Sequence, residues 1–153
     1  METIKKETIS AADLVKAFTA AMTSDDIQGW KKLLAKDGEW KIMATGETFI
    51  GIDKMVELAT RSVAARDHKS GEGLLPFNVF INAEGTKFVW EYVHKGTVTE
   101  KWPASTHKPI VGTKFELPIL LVCEINKGKL IKIREYFDLQ TLTEAGTPHY
   151  LYS

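Results

Sequence analysis

Hydrophobic positions in the first quarter of the chain recur every three or four residues, which is the spacing of amphipathic helices. Two such runs follow each other: Leu14, Phe18 and Met22, then Ile27, Trp30 and Leu34. Ser10 precedes the first run as an N-cap, residues 23–26 offer a second cap, and Gly38 ends the second run. The pattern predicts a short hairpin of two helices.

Alternation replaces this spacing at residues 39–44, where Trp40 and Ile42 fall on one side of a predicted strand. Residues 48–50, between two glycines, form a second short strand. From Asp53, a plausible N-cap, to Arg66 the spacing is helical again, which predicts a third helix.

Period-two alternation then continues almost to the end of the chain. It predicts long strands at residues 74–82, 86–101, 114–126 and 130–138, joined by turns that favour antiparallel pairing. Pro118 lies inside the third of them, and because proline cannot donate to a central ladder, we expect a bulge or an edge position there. Helices followed by a meander predict an α+β domain with helices on one face of a curved sheet.

The absence of linkers and repeats predicts a single domain over residues 1–153, with a core at about 8–146 and a tail at 147–153. Twenty basic residues balance 20 acidic ones and the pI is near 6.9, which argues against nucleic acid as a partner. Cys123 is the only cysteine, so an intramolecular disulfide and a cysteine-based zinc site are excluded. Residues 1–7 lack the apolar stretch of a signal peptide, and no segment has the roughly 20 apolar residues of a membrane span. We expect a cytoplasmic protein with no membrane partner.

The last predicted strand carries an acidic residue on its core-facing side. One phase of the alternation contains Ile131, Ile133, Glu135 and Phe137. A carboxylate among apolar neighbours is unfavourable unless it is hydrogen-bonded, paired or facing a wet cavity. Glu135 is therefore either a functional group, a residue at a cavity mouth or half of a structural ion pair.

The second long strand shows the same departure from an apolar pattern. One of its phases contains Phe88, Trp90, Tyr92 and His94. If this phase is the inner one, a tyrosine hydroxyl and an imidazole point into the same interior as Glu135. A lone buried histidine is more often a packing residue than a catalyst, but convergence with a carboxylate favours a catalytic role.

The sequence Ile-Arg-Glu-Tyr-Phe-Asp-Leu at residues 133–139 resembles the final-strand motif of limonene-1,2-epoxide hydrolases. Residues 21–26, 35–40 and 50–56 are similar, in order, to the helical hairpin, first strand and third-helix start of that family and its relatives. The relatives are the SnoaL-like polyketide cyclases, the ketosteroid isomerases and the wider nuclear transport factor 2-like superfamily. This resemblance implies a cone-shaped curved antiparallel sheet wrapped around the N-terminal helices.

The resemblance also implies roles for individual residues. Glu135 falls on the position of the aspartate that activates water in the epoxide hydrolases. Tyr92 falls where the family has an arginine and His94 where it has a second aspartate, while Trp40 and Ile42 occupy the positions of a tyrosine and an asparagine. Of these five positions, only Glu135 keeps a like chemical group.

These residues suggest general acid/base chemistry by Glu135 and His94, with the Tyr92 hydroxyl donating to an oxyanion and no cofactor. Predicted pocket residues are Trp40, Ile42, Trp90, Leu117, Ile119, Leu121 and Phe137, joined by Phe18. Such a lining suits a small apolar molecule with one or two oxygen functions. The chain is then a hydrolase, isomerase or cyclase; the alternative is a non-catalytic binding or dimerising module. Relatives commonly form homodimers through the exposed sheet face, represented here by Val89, Val93, Leu120 and Val122.

Other polar residues rank lower as candidates. His68, His107 and His149 fall in predicted loops or the tail with no partner at ligand spacing, so we expect no metal site. Asp138 lies on the outer phase and is a reserve candidate for a base. Trp102, His107 and Tyr150 are candidates for a pocket cap or a dimer contact.

Overall fold

Helices and a mixed sheet make up the computed structural model, which describes residues 8–64, 66–68, 71–100 and 111–138. The elements in chain order are α1 (Ala11–Thr23), α2 (Ile27–Lys31), β1 (Leu34–Ile42), β2 (Thr48–Ile50), α3 (Ile52–Ala64), β3 (Arg66–Asp67), β4 (Gly73–Ile81), β5 (Lys87–Val98), β6 (Lys114–Asn126) and β7 (Lys129–Phe137). Trp102, His107, His149 and Tyr150 lie outside the described residues, so their predicted roles stay predictions.

The strands form one sheet in the order β2-β1-β7-β6-β5-β3, with β4 also paired to β5. Neighbouring strands are antiparallel except β1 and β7, which run parallel. The parallel pairing places Ile42 beside Glu135 and Trp40 beside Ile133. The predicted α+β class with a curved sheet is confirmed, and β1 and β7, the first and last of the described strands, are neighbours in the sheet.

The inner face of the sheet packs against α1. Phe18, from α1, contacts Phe88 and Trp90 of β5 edge-on, with ring centroids 5.7 and 6.1 Å apart. All three side chains are fully buried. Such aromatic pairs contribute about 0.5–1.5 kcal/mol each beyond the burial of apolar area. The aromatic phase of β5 is therefore the inner one.

The second helix is shorter than its hydrophobic spacing predicts. It ends at Lys31, and Leu34 already belongs to β1, where it pairs with Leu130 of β7. The Leu130 backbone N–H donates to the Leu33 carbonyl over 2.9 Å. Hydrogen bonding to β7 thus overrides the helical pattern at Leu34, and the predicted strand start at residue 39 is wrong.

The third helix also begins one residue earlier than predicted. Asp53 lies in its first turn and is not its N-cap, because α3 begins at Ile52. The Met55 N–H donates to the Gly51 carbonyl over 3.1 Å, and Gly51 has a φ of 88°. That left-handed backbone conformation favours glycine, which explains why the turn into the helix uses one.

The inward phase of β7 changes near its start. A register shift against β6 lies between Glu124 and Ile125, and Leu130, rather than Ile131, is fully buried. The prediction that Ile131 faces the core is wrong because a bulge adds one residue there. Beyond the bulge, the inward phase follows the predicted residues.

Pro118 lies at the point where β6 loses its β7 neighbour, since the β6–β7 ladder ends at Ile119. It pairs with Val93 of β5 without a register shift, so the predicted bulge is absent at this position. The predicted edge position is found on the side of β6 that faces β7. On the same outward face, Val89, Leu120 and Val122 are half-buried and Val93 is buried within one chain. The homodimer expected through this face stays a prediction. Within the described ranges, no helix has the length and apolar character needed to cross a membrane.

Candidate active site

A cavity of about 250 Å³ opens between the helices and the inner face of the sheet. Its polar lining residues are Glu47, Arg61, Ser62, Tyr92, His94 and Glu135. Its apolar lining residues are Met22, Trp40, Ile42, Phe49, Leu58, Leu74, Phe115, Leu117, Ile119 and Phe137. The volume lies just below the range of about 300–1,000 Å³ that is common for ligand sites, so the cavity suits a small molecule.

Most residues singled out in the sequence line this one cavity: Trp40, Ile42, Tyr92, His94, Leu117, Ile119, Glu135 and Phe137. Trp90, Leu121 and Phe18 do not line it and are fully buried. Trp90 pairs with Leu121 across β5 and β6, and Phe18 of α1 covers Trp90. These three residues belong to the core because α1 closes that part of the sheet.

The Glu135 carboxylate is held by a tryptophan of the neighbouring strand. The Trp40 indole N–H donates to Oε2 of Glu135 over 3.0 Å. An indole nitrogen can only donate, so this oxygen accepts. The Trp40 ring in turn packs against the buried Trp30, with centroids 5.4 Å apart. A rigid indole therefore fixes the orientation of a carboxylate that faces the cavity.

His94 is held by aromatic contacts on two sides and is only 8% exposed. Its ring meets the Phe115 ring edge-on at 4.9 Å and the His68 ring edge-on at 5.3 Å. Phe115 can approach because residue 96 is a glycine, and a Cβ there would lie 2.6 Å from the ring. Gly96 thus makes room for the ring that orients His94.

His68 is the main site residue that the sequence pattern missed. Its Nε2 lies 3.1 Å from Nε2 of His94, and its Nδ1 lies 3.5 Å from Oδ2 of Asp25. The sequence offered His68 no partner at ligand spacing; its contacts arise because the folded chain brings together three segments that are distant in sequence. Asp25 was interpreted as part of a cap, but Asp26 is the residue that caps α2, by accepting from the Gly29 N–H.

Glu135 and His94 lie at different levels of the cavity. His94 of β5 pairs with Leu117 of β6, and Glu135 of β7 pairs with Leu121, which lies four residues farther along β6. At about 3.3 Å per residue, the two levels are about 13 Å apart along the strand. Tyr92 lies between them, on the level of Ile119 and Phe137. The three side chains thus lie along the length of the cavity rather than at one point of its wall.

Two charged residues lie towards the solvent side of the cavity. Arg61 and Glu47 are both exposed, and the Arg61 guanidinium lies over the Phe49 ring, 5.6 Å from its centroid. Such a cation–π contact keeps the arginine stem against the cavity wall. Asp138, the reserve candidate for a base, is exposed directly after β7 and is not a lining residue.

Cysteine and metal chemistry find little support in the described part of the chain. Cys123 is fully buried, and burial raises the pKa of its thiol far above the ordinary value, against a smaller opposing effect of Arg134. The thiol is therefore neutral and unsuited to act as a nucleophile. Among these residues, no three His, Cys, Asp or Glu side chains are grouped as metal ligands.

No protein-family model matches the chain, and no curated protein matches it. Solved structures, in contrast, match most of the chain. A candidate polyketide cyclase from Pseudomonas putida KT2440 is 22% identical, with a TM-score of 0.77 over 91% of this chain and 99% of that one. A protein from Catenulispora acidiphila DSM 44928, solved in complex with trimethylamine, is 19% identical, with a TM-score of 0.70 over 89% of this chain and 94% of that one.

A third structure, TerC co-crystallised with polyporic acid, is 17% identical, with a TM-score of 0.68 over 94% of this chain and 98% of that one. The Catenulispora protein is described as having a ketosteroid isomerase-like fold, and further matches as nuclear transport factor 2-like. At these identities the likeness shows the fold and no particular activity. The chain has the ketosteroid isomerase-like, or nuclear transport factor 2-like, fold.

Proposed function

We propose that the protein is a cofactor-free acid/base enzyme that moves a proton next to a carbonyl group of a small, largely apolar molecule. One observation carries this proposal: the Glu135 carboxylate and the His94 imidazole line the same small cavity, whose wall is otherwise mostly apolar. Carboxylates and imidazoles are the side chains that most often transfer protons in enzymes. An isomerase and a cyclase both fit this first step.

Glu135 takes the role of base in this proposal. Its Oε2 accepts a hydrogen bond from the Trp40 indole, and such a bond stabilises an ionised carboxylate. The bond also restricts the side chain, so the remaining oxygen lone pairs keep a fixed direction. A fixed carboxylate at an apolar wall is suited to remove a proton from a carbon atom that the wall holds in place.

His94 and Tyr92 take the role of donors to the oxygen on which negative charge develops. Both side chains line the cavity on β5, at successive inward positions. An imidazole or a tyrosine hydroxyl can donate to an enolate oxygen and so lower the energy of the transition state. Tyr92 lies at the level between Glu135 and His94, so along the strands it is the donor nearer to the base.

Epoxide hydrolysis is less well supported than chemistry next to a carbonyl. In the hydrolases that the chain resembles, an arginine and an aspartate stand at the positions of Tyr92 and His94. A tyrosine cannot supply the permanent positive charge of arginine. The described lining contains one arginine, the exposed Arg61, which lies on α3 rather than on β5.

Hydrogen–deuterium exchange into small ketones tests the proposal without knowledge of the substrate. We expect the wild type to catalyse deuterium incorporation next to the carbonyl of at least one member of a panel of small cyclic ketones, measured by NMR in D₂O. Glu135→Gln should lower the rate by about 100-fold or more, the usual contribution of a general base. Glu116→Gln is the matched control, since Glu116 lies on the exposed face of β6 beside Lys95 and outside the cavity.

The non-catalytic binding module is the competing function, and the same panel distinguishes it. Ketones that raise the melting temperature but show no exchange above the buffer rate would favour a binding module, because ligands that bind only the folded state stabilise it without turnover. Hydration of small epoxides in place of exchange would favour a hydrolase. Either result contradicts the proposed chemistry.

A further inference from the structure

Three polar side chains from distant segments form a chain from the solvent side of the helices to the cavity. Asp25 lies in the turn between α1 and α2, His68 follows β3, and His94 lies on β5. Oδ2 of Asp25 is 3.5 Å from Nδ1 of His68, and Nε2 of His68 is 3.1 Å from Nε2 of His94. We call this set the histidine relay. It lies beside the cavity wall and reaches the cavity through His94 alone.

The short contact between the two imidazoles restricts where protons can be. A hydrogen bond between two Nε2 atoms needs one N–H and one lone pair, so both imidazoles cannot be protonated at these positions at once. The Asp25 carboxylate, 3.5 Å from Nδ1 of His68, favours a proton on that nitrogen. When His68 is neutral with its proton there, its Nε2 accepts from Nε2–H of His94; when His68 is protonated on both nitrogens, its Nε2–H donates to His94 instead. The protonation of His68 therefore determines the tautomer of His94.

The backbone of Asp25 supports a specific role for its side chain. Asp25 has a φ of 55°, a left-handed conformation that non-glycine residues seldom adopt. Its neighbour Asp26 provides the cap of α2, so capping does not account for Asp25. The side chains of Asp25 and His68 are 30% and 17% exposed. The turn therefore presents a carboxylate to His68 while leaving the pair accessible to solvent protons.

We propose that Asp25 and His68 control the protonation of His94; this rests on the proposed acid/base role of His94. With His68 protonated on both nitrogens beside the Asp25 carboxylate, its Nε2–H donates to Nε2 of neutral His94, whose own proton is then at Nδ1. When His94 gives the Nδ1 proton to the substrate oxygen, it takes the Nε2 proton from His68, which becomes neutral with its remaining proton at Nδ1. Return of a proton to Nδ1 of His94 and of the Nε2 proton to His68 restores the starting state. His94 is the catalytic residue, and Asp25 and His68 are positioning residues.

Other titratable groups surround the relay and need to be separated from it. Those that line the cavity with His94 are Glu47, Arg61, Tyr92 and Glu135. Lys95 and Glu116 lie on the outward phases of β5 and β6, and Asp26 adjoins Asp25. Asp67 directly precedes His68, and Glu72 accepts from the Thr97 hydroxyl of β5. His68 contacts Asp25 through Nδ1 and His94 through Nε2. A variant of Asp25 therefore tests the relay at the end farthest from the cavity.

NMR titration of ¹⁵N-labelled histidine rings in the full chain tests the proposal without any substrate. The chain has four histidines, and His107→Gln and His149→Gln identify the two remaining sets of signals. In Asp25→Asn, we expect the titration midpoints of both His68 and His94 to shift to lower pH, because a carboxylate that favours the protonated pair is lost and the two rings titrate together. Asparagine tolerates the left-handed conformation, so the turn is kept.

Asp26→Asn is the matched control, since it removes the same charge one residue away and asparagine also caps helices. It should leave both midpoints unchanged. A His94 midpoint that is the same in wild type and Asp25→Asn would overturn the relay, as would equal shifts in both aspartate variants. Sharp shifts of His68 and His94 signals at one equivalent of Zn²⁺ would overturn it as well, because the pair would then be a metal site.

His68→Gln provides a second, independent variant. Glutamine can exchange hydrogen bonds with His94 but cannot carry its proton, so His94 should change from coupled to single-step titration. With a ketone that the wild type turns over, the variant should lower kcat and move the pH profile while KM stays constant. Unchanged titration of His94 contradicts the relay. Coupled titration without turnover of any ketone contradicts the proposed function and leaves the relay standing.

Discussion

At the level of single residues, the site depends on how a carboxylate is accommodated among apolar side chains. Glu135 faces a cavity lined by Ile42, Ile119 and Phe137, and one of its oxygens accepts from the Trp40 indole. A carboxylate in such surroundings needs a hydrogen bond to offset the loss of water. Trp40 of β1 therefore orients the Glu135 carboxylate of β7.

Replacing Trp40 with phenylalanine tests this contact. Trp40→Phe removes the donor and leaves the Glu135 carboxylate without that bond, so the free energy of unfolding should fall by about 1–3 kcal/mol more than ring volume alone explains. Trp30→Phe is the control, because the Trp30 indole N–H is buried and has no hydrogen-bond partner among the described residues. Urea unfolding of both variants measures the difference, and equal losses would show that the bond contributes nothing.

The sequence predicted that Glu135, His94 and Tyr92 face the interior because each lies on the inward phase of a long strand, and all three line the cavity. Asp25 and His68 could not be predicted in the same way. They lie in connecting segments, where no hydrophobic periodicity predicts which way a side chain points. Their contact forms only when the α1–α2 turn meets the segment after β3.

At the level of elements, β7 decides the geometry of the site, since it pairs with β1 on one side and β6 on the other. The register shift near its start moves Leu130 into the core in place of Ile131. The same shift sets the phase that brings Glu135 to the inner face. A small irregularity of the ladder therefore determines which side chains reach the cavity.

Alanine substitutions at the two neighbouring positions test the bulge. Leu130→Ala should lower the free energy of unfolding by about 2–5 kcal/mol, as is common for fully buried leucines. Ile131→Ala should have a clearly smaller effect, because its side chain is only half-buried. Chemical denaturation gives both values. If Ile131→Ala lowered the free energy of unfolding more than Leu130→Ala does, the inward and outward alternation of β7 would extend to its first residues, without a bulge.

Element prediction from the sequence succeeded where one local pattern dominates. β6 spans the predicted residues 114–126, because its alternation is regular over its whole length. The boundary between α2 and β1 was misplaced, because Leu34 fits the helical spacing and its strand conformation depends on pairing with the distant Leu130. Pairing between the two ends of the chain leaves no local signal.

At the level of the whole molecule, the fold brings a carboxylate and an imidazole from separate strands to one small cavity. Glu135 comes from β7 and His94 from β5, with β6 between them. A fold of this type does not by itself define a reaction, and the three similar structures described above are only 17–22% identical with this chain. The function therefore has to be argued from the residues inside the cavity.

The most direct test of this account is deuterium exchange into one ketone substrate by wild type, Glu135→Gln, His94→Gln and the double variant. If the two groups act as base and acid in one reaction, each single variant should lose about 100-fold or more, and the double variant should be little worse than the poorer single one. If either single variant exchanged deuterium at the wild-type rate, the account would be contradicted, because the reaction would then proceed without one of its two proposed groups.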